Sequence, residues 1–257
     1  MSEIILEMKG VRKEFPGLVA NDNVSLQVKK GEIHALLGEN GAGKSALMNI
    51  LYGLYEADGG EVKYKKDIIH ANTPKKAIQM GIGMVHQHFM LIPALTVVEN
   101  MILGMQEGSN PIINKKDAIK KILELGKKFG LAVDPNALVW QLSVGEQQRV
   151  EILKALFRDA ELLILDEPTA VLTPQETQEL FTFLRALTKQ GLTIIFITHK
   201  LNEVMEISDR ITILQRGKVV ATVNTKDTDK QELAKMMVGR DVVLSIDKTP
   251  AKPGEKV

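Results

Sequence analysis

The run Gly38, Glu39, Asn40, Gly41, Ala42, Gly43, Lys44, Ser45 constrains this chain more than any other. It follows the apolar stretch 33–37 and opens a segment in which Leu47, Ile50, Leu51 and Leu54 recur at helical spacing. A loop fitting G-x-x-x-x-G-K-[ST] between a strand and a helix has a mechanical reading. Glycines let successive amides turn toward one anion, and the helix start adds the positive end of its dipole. Lysine can then reach the β and γ oxygens of a nucleotide, and the hydroxyl can bind Mg²⁺. A capping glycine in a tight turn would account for the shape of the loop. It would not account for the paired lysine and serine.

The surroundings read as an α/β fold. Two very apolar runs, 162–165 and 193–198, flank a helical segment at 174–190, the rhythm of a parallel sheet covered on both faces. Earlier runs at 4–8, 24–28 and 33–37 read as strands of an opening sheet, the last two joined by Lys29, Lys30 and Gly31; 61–65 follows the glycines at 59 and 60 as a further strand, and 83–86 reads as another buried one. A short helix is expected at 74–80. From about 89 to 158 the signals are almost wholly helical, at 97–103, 115–129 and 146–158, with Ile119, Ile122, Leu123 and Leu125 marking one face of the second. That block is expected to be an inserted helical subdomain. A hairpin at 210–214 and 219–223 and a helix at 231–238 close a single domain over 1–240, and 241–257 reads as a tail or linker.

Composition removes several function classes. Lys and Arg number 33 against 32 Asp and Glu, so no bulk field favours nucleic acid or anionic lipid. Zero cysteines exclude disulfides, thiolate zinc and a cysteine nucleophile. No apolar run approaches the roughly 18 residues of a membrane-spanning helix, and the opening Met-Ser-Glu-Ile-Ile-Leu-Glu is unlike a secretory signal. The expected address is the cytosol.

Two further sites carry chemistry. The run 162–165 ends in Asp166 and Glu167, at the sheet edge where ligands bind in parallel α/β folds. Asp166 is expected to hold Mg²⁺, through water, and Glu167 to polarise an attacking water, a task of positioning and electrostatics in phosphoryl transfer. Leu142, Ser143, Val144, Gly145, Glu146 precedes a helix; Ser143 and Glu146 form S-x-x-E, which a helix-capping box alone would explain.

With those residues in order, the chain resembles the nucleotide-binding subunit of an ATP-binding cassette (ABC) transporter from about residue 4 to 240, L-S-V-G-E standing for its signature L-S-G-G-Q. The resemblance implies the P-loop NTPase fold of these ATPases, a RecA-like parallel core with an N-terminal antiparallel β-subdomain and an inserted helical subdomain. It implies that Phe15 stacks on adenine, although one aromatic in a strand is more often core. Gln87 matches the glutamine that senses Mg²⁺ and γ-phosphate, and His199 the switch histidine on γ-phosphate, where a turn residue and a helix cap are the plain alternatives. It further implies that ATP is sandwiched head to tail between two cassettes, with Ser143, Gly145, Glu146 and the following helix facing the partner's phosphate. Closing of the sandwich would drive membrane permease subunits, with an extracytoplasmic substrate-binding protein engaged indirectly and the cassette peripheral on the inner face of the membrane.

The chain departs from the pattern at Ala46, where a second hydroxyl is usual, at Val144 and Glu146, and at Ala170 to Thr173, where many cassettes end in Asp. Losing the hydroxyl at 46 is expected to weaken nucleotide binding by about 1 kcal/mol. The variants resemble importers of simple sugars and nucleosides, in which two cassettes are fused, and residues 84–100 look most like the nucleoside branch. The chain is then expected to be the first half of a longer protein, a point that native mass decides. Part of the patch Phe89, Met90, Leu91, Ile92, Pro93, Leu95 and Val97 is expected to receive a permease helix within 88–105, with a plain core role the alternative for each residue. The rival class is a soluble cassette protein acting on ribosomes or nucleic acid. Its translation-associated members resemble N-H-L-D after D-E-P-T, and chromosome-maintenance members need far more than the 55 residues between Gln87 and Ser143. A P-loop kinase or switch GTPase would leave the run 142–149 unexplained.

Overall fold

A computed structural model describes residues 3–69, 73–105 and 114–239. Strand β1 (Ile4–Phe15) turns at Gly17, whose φ of 79° is left-handed, into β2 (Leu18–Lys29). Both are longer than apolar alternation suggests. Leu6, Met8 and Val11 pair inward with Val24, Leu26 and Val28, but pairing then continues through polar residues: Arg12 bridges to Glu14 and Asp22, and Lys13 to Asp58. Backbone bonding and ion pairs carry the ribbon beyond its hydrophobic signal. With β4 (Gly59–Tyr64) and β5 (Asp67–Ile68) these form an antiparallel sheet ordered β2-β1-β4-β5.

The second sheet combines β3 (Ile33–Leu37), β6 (Ile82–Val85), β7 (Leu162–Asp166), β8 (Thr193–Thr198), β9 (Arg210–Gln215) and β10 (Lys218–Asn224) in the order β10-β9-β3-β8-β7-β6. All neighbours are parallel except the β9–β10 hairpin. The central strands are buried on both faces, which is why they read as continuous apolar runs. Leu162, Ile164, Ile195 and Ile197 face the antiparallel sheet and α1 (Lys44–Tyr52), whereas Leu163, Leu165, Ile194 and Phe196 face the helices α5 (Val144–Phe157) and α6 (Pro174–Lys189). A third cluster joins Ala35, Leu37, Ile211 and Ile213 to α7 (Leu201–Ile207) and α8 (Lys230–Val238).

Short helices α2 (Pro74–Gln79) and α3 (Val97–Ile102) and the longer α4 (Lys115–Phe129) fall where the periodicity predicts them. Two expected core residues are not core. Gly53, with φ 84°, caps α1 two residues before the expected end and leaves Leu54 48% exposed. In α4 the buried stripe is Ala118, Ile122 and Gly126, so Leu123 is 52% exposed. Helix α7 has no counterpart in the sequence reading, because seven residues show too little periodicity. The expected tail at 241–257 lies outside the described residues. No helix among the described residues is long and apolar enough to cross a membrane.

Candidate functional site

Parallel pairing collects the candidate residues at one sheet edge. Leu37 pairs with Thr198, Asp166 with Ile197 and Val85 with Leu165, so β3, β8, β7 and β6 end in near register. The loop 38–45, His199, Glu167 and Gln87 leave those four ends side by side, the edge at which doubly covered α/β sheets bind ligands.

The loop is wedged from two sides. A Cβ on Gly43 would lie 2.2 Å from the Ala20 carbonyl oxygen, and one on Gly38 would lie 2.4 Å from that of Leu214. Asn21 Nδ2 donates to the Gly43 carbonyl at 3.1 Å, and the Gly217 amide donates to that of Ala42 at 3.0 Å. Strand β2 and the β9–β10 turn thus brace the loop. Sequence reasoning missed this; its one signal was the polar run Asn21, Asp22, Asn23 inside a strand.

Lys44 is 5% exposed, and its ammonium donates to the carbonyls of Gly38 and Glu39 at 2.9 Å each. Burial holds it below the usual lysine range, against the pull of Glu167 and Asp166. Glu39, Asn40, Gly41 and Ser45 are exposed, Ala42 is buried, and Ala46 is half-buried on the first turn of α1. Burial pushes the Asp166 carboxyl above its ordinary value, and the nearby Glu167 adds to this while a hydrogen bond from Ser45 opposes it. Ser45 and Asp166 therefore present a hydroxyl and a carboxylate to one point, hard oxygen donors suited to Mg²⁺. Among the described residues no cluster of three or more His, Cys, Asp or Glu is placed to hold a metal ion by itself.

Glu167 has φ 46°, a left-handed conformation in which its amide donates to the Ile197 carbonyl at 3.0 Å. A non-glycine residue there carries strain of about 1 kcal/mol or more, a feature common at functional sites. Its carboxylate meets His199 Nδ1 at 2.9 Å and Gln87 Nε2 at 3.5 Å. Below it sits a network absent from the sequence reading. Glu203, 8% exposed, accepts from Thr169 Oγ1 at 2.6 Å and Thr198 Oγ1 at 3.0 Å, and Lys200 Nζ lies 2.9 Å away. These bonds lock the turn after β7 to the end of β8.

Phe15 is half-buried and lies in none of the core clusters. It stands edge-on to Tyr55 with ring centroids 5.3 Å apart, on the hairpin that braces Gly43. Among the described residues no hydrogen bond or ion pair joins Ser143, Gly145 or Glu146 to the loop 38–45. The capping box is formed, with the Glu146 amide donating to Ser143 Oγ at 3.3 Å and Glu146 Oε2 accepting from the Ser143 amide at 2.8 Å. Helix α5 is tied to the β7 edge instead by Gln148 Nε2, which donates to the Pro168 carbonyl at 2.6 Å.

The apolar run 89–97 divides. Leu91 and Val97 are core, whereas Met90 is 63% exposed and lines a groove of about 270 Å³ with Tyr52, Leu54, Pro74, Ile78 and Met84. The Met90 amide donates to buried Glu151 at 2.6 Å, which fixes one wall.

The sequence profile of the family described as ABC transporter matches residues 21–170. The chain is 54% identical to the nucleoside import ATP-binding protein NupA of Lactococcus lactis subsp. cremoris, over 100% of this chain and 51% of that protein. It is 52% identical to the guanosine import ATP-binding protein NupO of Bacillus subtilis, over 99% and 50%. It is also 50% identical to the glucose import ATP-binding protein TsgD13 of Haloferax volcanii, over 99% and 52%. The chain thus spans about half the length of these relatives. Among solved structures, the dimeric bacterial ABC transporter cassette MJ0796 superposes with a TM-score of 0.74 at 29% identity, covering 86% of this chain and 98% of that one. The ADP conformation of the cassette MJ1267 shares the fold at a TM-score of 0.81 and 24% identity, covering 93% and 100%.

Proposed function

Because the chain belongs to the ABC transporter family, we propose that it is the ATP-binding and ATP-hydrolysing cassette of an importer of nucleosides or simple sugars. The names of its relatives support that substrate class. The observation that carries the chemistry is the group at the β7 edge: Glu167 in a left-handed turn, with His199 Nδ1 at 2.9 Å and Gln87 at 3.5 Å, electrostatically coupled to Lys44 of the loop 38–45. We read residues 1–240 as one domain, with 89–158 as its helical part.

In this reading the amides of 38–45 and the Lys44 ammonium hold the phosphates, and Phe15 takes the adenine. Lys44 exchanges its carbonyl partners for phosphate oxygens, a trade that costs little because one charge-assisted bond replaces another. Glu167 orients the attacking water, while His199 and Gln87 fix its carboxylate and report the γ-phosphate. Ser45 and Asp166, with Gln87, would hold Mg²⁺, which supplies charge neutralisation on the phosphates when bound.

A second cassette, fused or separate, presents its Ser143, Gly145 and Glu146 to this nucleotide. That, among the described residues, no hydrogen bond or ion pair joins those residues to the loop of the same chain fits a site completed by a partner. The groove at Met90 receives a helix of the membrane permease on the inner face of the membrane, and an extracytoplasmic binding protein delivers substrate to the permease. Neither step involves nucleic acid.

Turnover of ATP by wild type and Glu167→Gln tests the chemistry. The variant is expected to bind ATP normally and to lose turnover by about 10²-fold or more; retained turnover reassigns the group that orients water. Met90→Asp tests the groove, and it is expected to abolish assembly with the permease while leaving ATP binding intact. Leu91 is unsuitable for this test because it is buried, so a charge there would unfold the segment.

A further inference from the structure

We infer that the Glu146 carboxylate is a built-in brake on the two-cassette clamp: it occupies the Ser143 hydroxyl and opposes the phosphate that the partner cassette brings to the start of α5. The inference rests on the head-to-tail reading above and adds a determinant of how much ATP the clamp needs.

Glu146 Oε2 accepts from both the Ser143 amide and Ser143 Oγ, each at 2.8 Å. The hydroxyl that would donate to a phosphate is therefore already donating, to an anion. The two bonds also hold the Glu146 carboxyl below the usual carboxylate range, so it is charged at neutral pH. A helix start attracts one anion readily, but a second meets the first at close range.

The geometry leaves little room to avoid that encounter. A Cβ on Gly145 would lie 2.6 Å from Glu176 Oε1, so a second carboxylate already stands beside the start of α5 and adds to the repulsion. Arg149, one turn along α5, offsets only part of this charge, because it acts on Glu146 and Glu176 together and is also engaged by Glu179 at 3.9 Å.

Folding does not require the charge. Glutamine fills the same box with the same reach. The chain uses the charged form of the box at Thr96 with Glu99 and at Thr173 with Glu176 as well, each at the start of a helix. At α5 alone the box coincides with a surface proposed to receive phosphate.

The test compares Mg-ATP turnover of the full-length protein in wild type and Glu146→Gln, at low and high KCl, with fluorescent-ATP binding measured alongside. The variant is expected to reach half-maximal turnover at about fivefold lower ATP at low salt, the effect of one like charge at contact range. The gap is expected to close as the screening length falls from about 10 Å to about 3 Å. Adding Ser143→Ala to the variant is expected to erase the gain. An equal or higher ATP requirement in Glu146→Gln, or an advantage that ignores salt, overturns the inference while leaving the ATPase reading intact. Failure of both proteins to bind the fluorescent nucleotide overturns the ATPase reading and this inference with it.

Discussion

Alanine at Gly43 and alanine at Gly41 separate two costs that are usually merged. Both glycines are left-handed, with φ of 99° and 80°, so each substitution carries a backbone penalty of about 1–2 kcal/mol. Only one carries a collision. A Cβ on Gly41 has no atom within 4 Å, whereas one on Gly43 would lie 2.2 Å from the Ala20 oxygen and 2.7 Å from Asn21 Nδ2. Ordinary contact begins near 3.4 Å, so the loop or β2 must move by about 1 Å. A displacement of that size in a positioning element is worth about 10²-fold in function. Urea unfolding should show Gly41→Ala losing about 1–2 kcal/mol with ATP affinity within a few-fold of wild type. Gly43→Ala should lose about 3 kcal/mol or more and weaken ATP binding by about 10²-fold. Equal losses in the two variants, or full ATP affinity in Gly43→Ala, would refute the claim that β2 shapes the cradle.

Three further outcomes follow from the same geometry. Glu203→Ala removes the acceptor shared by Thr169 and Thr198; it should cost about 2–3 kcal/mol in urea unfolding and slow ATP turnover by loosening the Glu167 turn. His34 is fully buried between Glu32 and Thr212, and burial holds it below the usual histidine range. The folded state therefore keeps it neutral while the unfolded chain takes a proton below about pH 6.5. Stability should fall as pH drops through that value, and by less in His34→Gln, as unfolding at pH 7 and pH 5 would reveal. Glu99, with its carboxyl lowered to about 2 by the Thr96 amide, the Thr96 hydroxyl and Lys115, should remain ionised in an NMR titration down to about that pH; an ordinary midpoint would contradict the box at α3.

Some of this protein was legible because its signals are local. The loop 38–45 announces itself through the glycine, lysine and hydroxyl spacing that phosphate binding demands, and the strands at 33–37 and 193–198 match the observed β3 and β8. The capping boxes at Ser143 and Thr173 were also readable, since each closes within four residues. Apolar alternation, by contrast, predicts β2 only at 24–28, but it begins at Leu18 because cross-strand ion pairs continue the ribbon where alternation stops, and β3, expected in the opening sheet beside it, pairs with β8 and β9 in the parallel sheet instead. Leu54, expected on a buried helix face, is exposed, and within the run 89–97 it is the tertiary packing that buries Leu91 and exposes Met90. Periodicity names a helix face or a candidate patch but not the neighbour that covers it.

Local spacing therefore determined which residues could handle a nucleotide, since amide direction and side-chain reach are properties of short segments. Only tertiary pairing decided that they converge. Parallel register brings the ends of β3, β6, β7 and β8 together from positions more than a hundred residues apart, and β2, the β9–β10 turn and Glu203 then hold those ends in place. No short-range pattern encodes such supports, because their energy arises from contacts that exist only after the sheet has formed.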